Sequence, residues 1–350
     1  MKEQIRKKNI LNLIKYHSEN NEAGFRDEAY EIAKYFDVAG DSELAQYIMA
    51  LLSGTNTFVP QDNEHNLSFF SKIDLSNQNS LPLPGPIKND VIGLINSIAH
   101  NIGVNKFLFE GEPGTGKTET AKQIARILER ELYILDFDTL IDSKMGETSK
   151  NIASVFKAIR NLPQPEQVII LFDEIDAIAL DRVNSNDIRE MGRVTTSVLK
   201  GLDSLSDNIV LIATTNLYKQ FDKAMTRRFD SVVNFNRYSK EDLIEVAEVI
   251  LNEYLTRFKT AGRNIRLFKK ILESMEQIPY PGDLRNIIKT SLAFSAPNNE
   301  FDYLRKFYEF AHPGTDFDDV KTFKSNGLTV REIEILTGKS KSQAARELKD

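Results

Sequence analysis

The apolar positions along the chain follow two patterns. Five short runs are apolar almost throughout: 106–110 (KFLFE), 132–137 (LYILDF), 168–172 (VIILF), 209–213 (IVLIA) and 231–235 (SVVNF). Runs of that length without polar alternation suit parallel strands buried on both faces. Between them the period becomes helical, over 118–128, 151–160 and 189–202, the last with Met191, Val194, Val198, Leu199 and Leu202 on one face. Strand and helix therefore alternate through the middle of the chain, which predicts an α/β sandwich around a parallel sheet.

The two ends read differently. Residues 1–60 predict helices only. Ile5, Ile10, Leu11, Leu13 and Ile14 form one apolar stripe, and Tyr30, Ile32, Ala33, Tyr35 and Phe36 a less regular second one. The break at 39–42 (AGDS) leaves Asp41 or Ser42 to cap the next helix. This module is either an adaptor for a substrate or partner, or a packing appendage. Residues 61–87 read as a linker, in which Pro82, Pro84 and Pro86 force an extended path before a helix starting at Asn89 or Asp90. The α/β core is expected over 88–237. A helical unit follows over 238–298, with a helix entered through 279–285 (PYPGDLR). A helical tail covers 299–350, where Thr329 and Ser340 are caps and Gly338 marks a turn.

Composition narrows the picture. With 350 residues the chain has room for two or three units. Its 41 % hydrophobic and 27 % charged content is that of a globular protein, and its net charge of −6 does not advertise a nucleic-acid surface. The absence of cysteine excludes disulfides, Cys-ligated zinc and a Cys nucleophile, and suits a reducing compartment. No apolar stretch reaches the roughly 18 residues of a membrane span, and no apolar core follows the basic first residues. The expected setting is the cytoplasm, without a membrane partner.

The first apolar run leads into Gly111, Glu112, Pro113, Gly114, Thr115, Gly116, Lys117 and Thr118, followed by Glu119 at the start of a helix. Strand, glycine-rich loop and helix in that order form a phosphate cradle. Backbone N–H groups and the helix N-terminus face the phosphates, Lys117 reaches the β- and γ-phosphates, and the Thr118 hydroxyl ligates Mg²⁺. The run at 168–172 ends in Asp173 and Glu174, at the strand end where open α/β sheets bind ligands. Beside the cradle, Asp173 reads as the Mg²⁺ holder and Glu174 as the group that polarises the attacking water. Asn216 ends the next apolar run as an amide able to position that water, or as a plain Asx-turn. Arg227 and Arg228 precede the last run.

Taken together, the motifs over 110–235 resemble the AAA family of AAA+ ATPases. The resemblance implies a five-stranded parallel sheet, a helical lid over 238–298 and a ring of identical subunits, usually a hexamer. It implies ATP and Mg²⁺ as cofactors, Asn216 as sensor 1, and Arg227 and Arg228 as fingers reaching the neighbouring subunit's γ-phosphate. Arg285 resembles the sensor 2 of clamp-loader-like ATPases, with a structural helix-start arginine as the alternative. The central pore loop departs from the pattern. Translocating unfoldases carry an aromatic residue where this chain has Lys144, followed by Met145 and Gly146. The tail resembles a helix-turn-helix, which would turn Lys341, Gln343 and Arg346 toward DNA, or else is a helical hairpin used for packing. The expected function is an ATP-hydrolysing, chaperone-like ring that remodels a protein client or partner enzyme such as a protease; the alternative is a DNA-associated ATPase using the tail.

Overall fold

The computed structural model describes residues 7–18, 21–53, 69–76, 81–140, 147–162, 164–176, 188–218 and 223–349. The chain divides into two compact units, Met1–Ser68 and Phe69–Asp350. The first is helical: α1 (Lys7–Ser18), α2 (Glu22–Ala39) and α3 (Ser42–Ser53). Gly40 closes α2 in the left-handed conformation, and the Leu44 N–H donates to the Asp41 carboxylate, so the 39–42 break forms as the sequence predicts. The α1 stripe does not pack as its period suggests. Ile10, Leu11 and Ile14 are 53, 65 and 62 % exposed. The face turned to α2 is set instead by the Asn9 and Asn12 amides, which donate to the two Glu28 carboxylate oxygens at 2.7 and 2.9 Å. Hydrogen bonds to an ionised carboxylate are stronger than those between neutral groups, and here they hold the asparagine positions of α1 against α2.

The second unit begins with β1 (Phe70–Lys72), followed by α4 (Gly85–Ala99), β2 (Lys106–Glu110), α5 (Lys117–Ile127), β3 (Glu131–Asp136), α6 (Glu147–Arg160), β4 (Val168–Asp173), α7 (Ile188–Asp203), β5 (Val210–Thr215), α8 (Lys223–Thr226) and β6 (Ser231–Asn234). The sheet order is β1-β3-β4-β5-β2-β6. The five expected strands pair in parallel, and β1 adds a sixth, antiparallel edge against β3. Three residues are too few to show a period, so β1 is invisible within the predicted linker. Helix α4 also starts earlier than predicted. Pro84 precedes its first residue and Pro86 sits in its first turn, where a missing N–H costs nothing and a fixed φ suits the helix.

The apolar runs are continuous because alternate residues feed two cores. Phe107, Phe109, Ile169, Leu171, Val210 and Ile212 face α4 and α5. Leu108, Ile170, Phe172, Leu211 and Ala213 face α6 and α7. On the second face, Gly201 of α7 lies against Phe156 of α6; a Cβ there would fall 2.1 Å from the ring. Phe156 is 2 % exposed and packs edge-on against Phe172, so it has no room to withdraw. Gly201→Ala is expected to destabilise this unit by about 1–3 kcal/mol despite the better helix propensity of Ala. Urea unfolding measures it; an unchanged or raised midpoint would refute the packing account.

The remaining elements are helical: α9 (Lys240–Leu255), α10 (Ile265–Glu273), α11 (Pro281–Ala293), α12 (Asp302–Ala311), α13 (Val320–Ser325), α14 (Val330–Thr337) and α15 (Lys341–Glu347). They share one core, which runs from Leu243 to Ala344 and crosses position 298 without a break. Tyr303, Leu304, Phe307 and Tyr308 of α12 are buried in it. Lys270 of α10 donates to the Glu332 carboxylate at 2.7 Å, tying α14 to the helices before it. Thr329, Gly338 and Ser340 occupy the cap and turn positions predicted for them.

Candidate active site

The strands that end at the site deliver its functional groups from their C-terminal ends. After β2 the chain turns through the glycine-rich loop, and Gly116, at φ 94°, caps α5 so that Lys117 begins the helix. The loop is braced from outside: the Glu112 N–H donates to the Asn236 side chain at 2.8 Å, and the Tyr238 hydroxyl donates to the Thr115 carbonyl at 3.0 Å. Burial pushes the Tyr238 phenol well above its ordinary pKa, so it stays a donor. The Lys117 ammonium uses its three donors on the Gly111 carbonyl (2.7 Å), the Glu112 carbonyl (3.0 Å) and Asn216 Oδ1 (2.9 Å). Burial lowers its pKa, opposed by the nearby carboxylates of Asp176, Asp173 and Glu174.

Strand pairing brings the acidic groups to the loop. The Thr118 hydroxyl donates to Asp173 Oδ1 at 2.9 Å, and Thr214 on β5 donates to the same oxygen at 2.7 Å. The Thr214 hydroxyl also accepts the Glu174 N–H at 2.9 Å. Glu174 has φ 51°, a left-handed conformation that costs a non-glycine residue energy and is held here by Thr214 and the strand end. Asn216 bridges the two halves: its Oδ1 accepts from Lys117, its Nδ2 donates to Glu174 at 3.4 Å, and its N–H donates to the buried Asp176 at 3.3 Å.

These groups open onto a cavity of about 560 Å³. Leu81 and Leu83 contribute apolar walls with Tyr238, and Glu253, Gly282 and Arg285 approach from the helical region. The Gly282 N–H donates to the Gly114 carbonyl at 2.8 Å, joining the start of α11 to the loop. Arg285 Nη1 donates to Glu253 Oε2 at 3.3 Å.

The cradle fits a nucleoside triphosphate with a hard divalent cation. Its amine and helix N-terminus suit phosphate oxygens, and the oxygens of Thr118 and Asp173 suit Mg²⁺. Among the described residues no cluster of three or more His, Asp or Glu side chains forms a separate metal site, so a cation here would complete its shell with phosphate and water.

The sequence names Gly111 to Thr118, Asp173, Glu174, Asn216 and Arg285; of these Pro113, Gly114, Gly116, Lys117, Thr118, Asp173, Glu174, Asn216 and Arg285 line this one cavity, while the Gly111 and Glu112 carbonyls hold Lys117 and the Thr115 carbonyl accepts from Tyr238. Glu119 also borders the cavity, but its carboxylate pairs with Lys122 at 2.7 Å. Arg227 is exposed and makes no side-chain hydrogen bond or ion pair among the described residues, whereas Arg228 pairs with Asp203 at 3.1 Å and with the Ala224 carbonyl. Lys144, Met145 and Gly146 lie outside the described residues. In the tail, Lys341 lies 3.8 Å from Glu334 and Gln343 donates to Glu347, while Arg346 is exposed. Sequence reading misses Thr214, Asp176, Glu253 and Gly282. The register that pairs Phe172 with Ala213 sets Thr214 beside Asp173, and only pairing reveals it.

Residues 107–237 match the ATPase family associated with various cellular activities (AAA). Among curated proteins, an uncharacterized AAA family ATPase of Sinorhizobium fredii is 36 % identical over 46 % of this chain and 50 % of its own length. A putative 26S proteasome regulatory subunit homolog of Methanothermobacter thermautotrophicus is 31 % identical over 42 % of this chain and 38 % of its own. The peroxisomal ATPase pex6 of Schizosaccharomyces pombe is 38 % identical over 36 % of this chain and 14 % of its own. The chain thus spans half or less of the length of these relatives. Among solved structures, the AAA domain of FIGL-1 in complex with ADP superposes with a TM-score of 0.54 at 17 % identity, covering 77 % of this chain and 97 % of that one. A chain of the HORMA:CdnC:Trip13 complex of E. coli MS115-1 gives 0.53 at 17 % identity, covering 74 % of this chain and 93 % of that one. The similarity to the AAA family is carried by residues 107–237, and the solved structures support the fold. No described helix is long and apolar enough to cross a membrane.

Proposed function

We propose that this AAA ATPase domain hydrolyses ATP in a homo-oligomeric ring, most simply a hexamer, whose motion remodels a protein client or partner enzyme. The observation that carries the proposal is the joint Lys117–Asn216–Glu174 contact, which sets a phosphate-binding amine and a carboxylate base on the two sides of one amide. Lys117 and the α5 N-terminus bind and orient the phosphates. Thr118 and Asp173 would hold Mg²⁺, which supplies charge neutralisation at the phosphates when bound. Glu174 accepts a proton from the attacking water, and Asn216 fixes both Glu174 and Lys117. Arg227 and Arg228 of a neighbouring copy would stabilise the charge of the transition state, Arg227 directly and Arg228 after giving up Asp203. The lid contacts at Gly282 and Arg285 offer a route from phosphate state to motion.

Relatives named as proteasome regulatory subunit homologs and peroxisomal ATPases favour a protein client over nucleic acid. The DNA reading rests on the exposed start of α15, where Lys341 and Gln343 already have acidic partners within the tail. Stimulation of turnover by unfolded protein is expected to survive Lys341→Ala/Arg346→Ala. Stimulation by DNA that falls steeply with salt would overturn the protein-client reading.

The ring has its own test. Arg227→Ala/Arg228→Ala and Lys117→Ala subunits are each expected to be inactive alone, the former by about 10³–10⁵-fold in kcat. Mixed, they regain part of the activity, because each supplies what its neighbour lacks. Absence of recovery in demonstrably mixed assemblies would refute fingers acting between subunits.

A further inference from the structure

We infer that Glu253 competes with the terminal phosphate of ATP for Arg285, and thereby sets how strongly the site prefers triphosphate over diphosphate. The inference rests on reading the cavity as an ATP site and adds a positioning residue to it.

Glu253 lies near the end of α9 with its side chain only 16 % exposed, and it borders the cavity that also holds Lys117 and Glu174. Its two carboxylate oxygens serve two different arginines. Oε2 accepts from Arg285 at 3.3 Å, and Oε1 accepts from Arg257, four residues on and just past the end of α9, at 3.5 Å. Arg285 stands in the same cavity on α11, four residues after the Pro281 that opens the helix. A guanidinium recognises carboxylate and phosphate oxygens with the same fork of donors. A phosphate entering its reach therefore exchanges for Glu253 rather than adding to it.

The second arginine makes the exchange feasible. A buried carboxylate stripped of its only cation would oppose the release of Arg285. Glu253 keeps Arg257, whose side chain is 67 % exposed and reaches it from the solvent side, so the charge left behind stays compensated. A triphosphate that recruits Arg285 must break one ion pair. A diphosphate leaves the pair intact, so its binding does not carry that cost. The contact joins α9 to α11, so its breaking also reports the phosphate state to the helical region.

Equilibrium binding of a non-hydrolysable ATP analogue and of ADP to the full chain tests this. Glu253→Gln is expected to tighten binding of the analogue by about 3–10-fold and of ADP by less than about twofold. A gain in affinity cannot arise from misfolding. In an Arg285→Ala background, Glu253→Gln is expected to leave analogue binding within about twofold of the single variant. Unchanged or weaker analogue binding in Glu253→Gln would overturn the competition. So would an equal gain for ADP, or a full gain without Arg285. Lys117→Ala separates the two readings: if it still binds nucleotide, the cavity itself is misread, whatever Glu253 does.

Discussion

Glu174→Gln is expected to cut ATP turnover by about 10²–10⁴-fold while leaving nucleotide affinity within a few-fold. The substitution keeps the volume and the amide can still meet Asn216, but it removes the proton acceptor. Binding survives because the phosphate contacts come from Lys117 and the loop, whose hydrogen bonds to Gly111 and Glu112 do not involve Glu174. The backbone also survives. The φ of 51° at Glu174 is held by the Thr214 hydroxyl and by the strand end, neither of which depends on the side-chain charge. Steady-state turnover with nucleotide titration is the measurement. Turnover at the level of the unmodified protein would remove Glu174 from the role of base, and equal loss of binding would make it a structural residue instead.

The second large effect is expected from Gly282→Ala. A Cβ at that position would lie 2.7 Å from Gly114 Cα and 3.3 Å from the Gly114 carbonyl oxygen. Both neighbours are backbone, and Gly114 itself sits at φ 77°, so the loop cannot yield without losing its shape. The start of α11 must back away, breaking the 2.8 Å hydrogen bond from Gly282 to Gly114 and carrying Arg285 with it. A displacement of about 1 Å at a reacting centre can cost 10²-fold, and a fall of about that size in kcat/KM is expected. Leu284, two residues further along α11, is fully buried in the helical core, so the thermal midpoint of Gly282→Ala is expected to fall as well. A variant with intact kcat/KM would show that the loop and α11 are not coupled through this contact.

The legible part of the site was the part written in consecutive residues. The cradle from Gly111 to Thr118 is local, since a glycine-rich turn and a helix N-terminus need only their own backbone. Asp173, Glu174 and Asn216 were legible because a fully buried parallel strand must end at the ligand edge of the sheet, and each follows an apolar run. Strand faces could be assigned for the same reason: Phe107 and Leu108 must point opposite ways whichever helices cover them.

Errors arose where a local pattern competed with distant partners. Helix α1 carries a good apolar stripe, yet Glu28 on the next helix selects the asparagine face. The edge strand β1 owes its existence to pairing with β3, not to its three residues. The sequence sets a tail apart from residue 299 on, but Tyr303, Phe307 and Tyr308 share one core with the helices before it, and Glu332 takes Lys270.

The sequence by itself therefore determined the strand–glycine-rich loop–helix unit, the placing of Asp173 and Glu174 at a strand end, the caps of the tail helices and the alternation that makes the sheet two-faced. Each depends on neighbours a few residues away, and backbone sterics and hydrophobic period act at that range. Only the tertiary structure decided that Thr214 steadies Asp173, that Asn216 joins Lys117 to Glu174, that Gly282 closes on Gly114 and that Glu253 holds Arg285. Those contacts join residues between 32 and 168 positions apart, for example 99 between Lys117 and Asn216. At such separations no residue pattern specifies a partner; the register of the strands and the packing of the helices after β6 do.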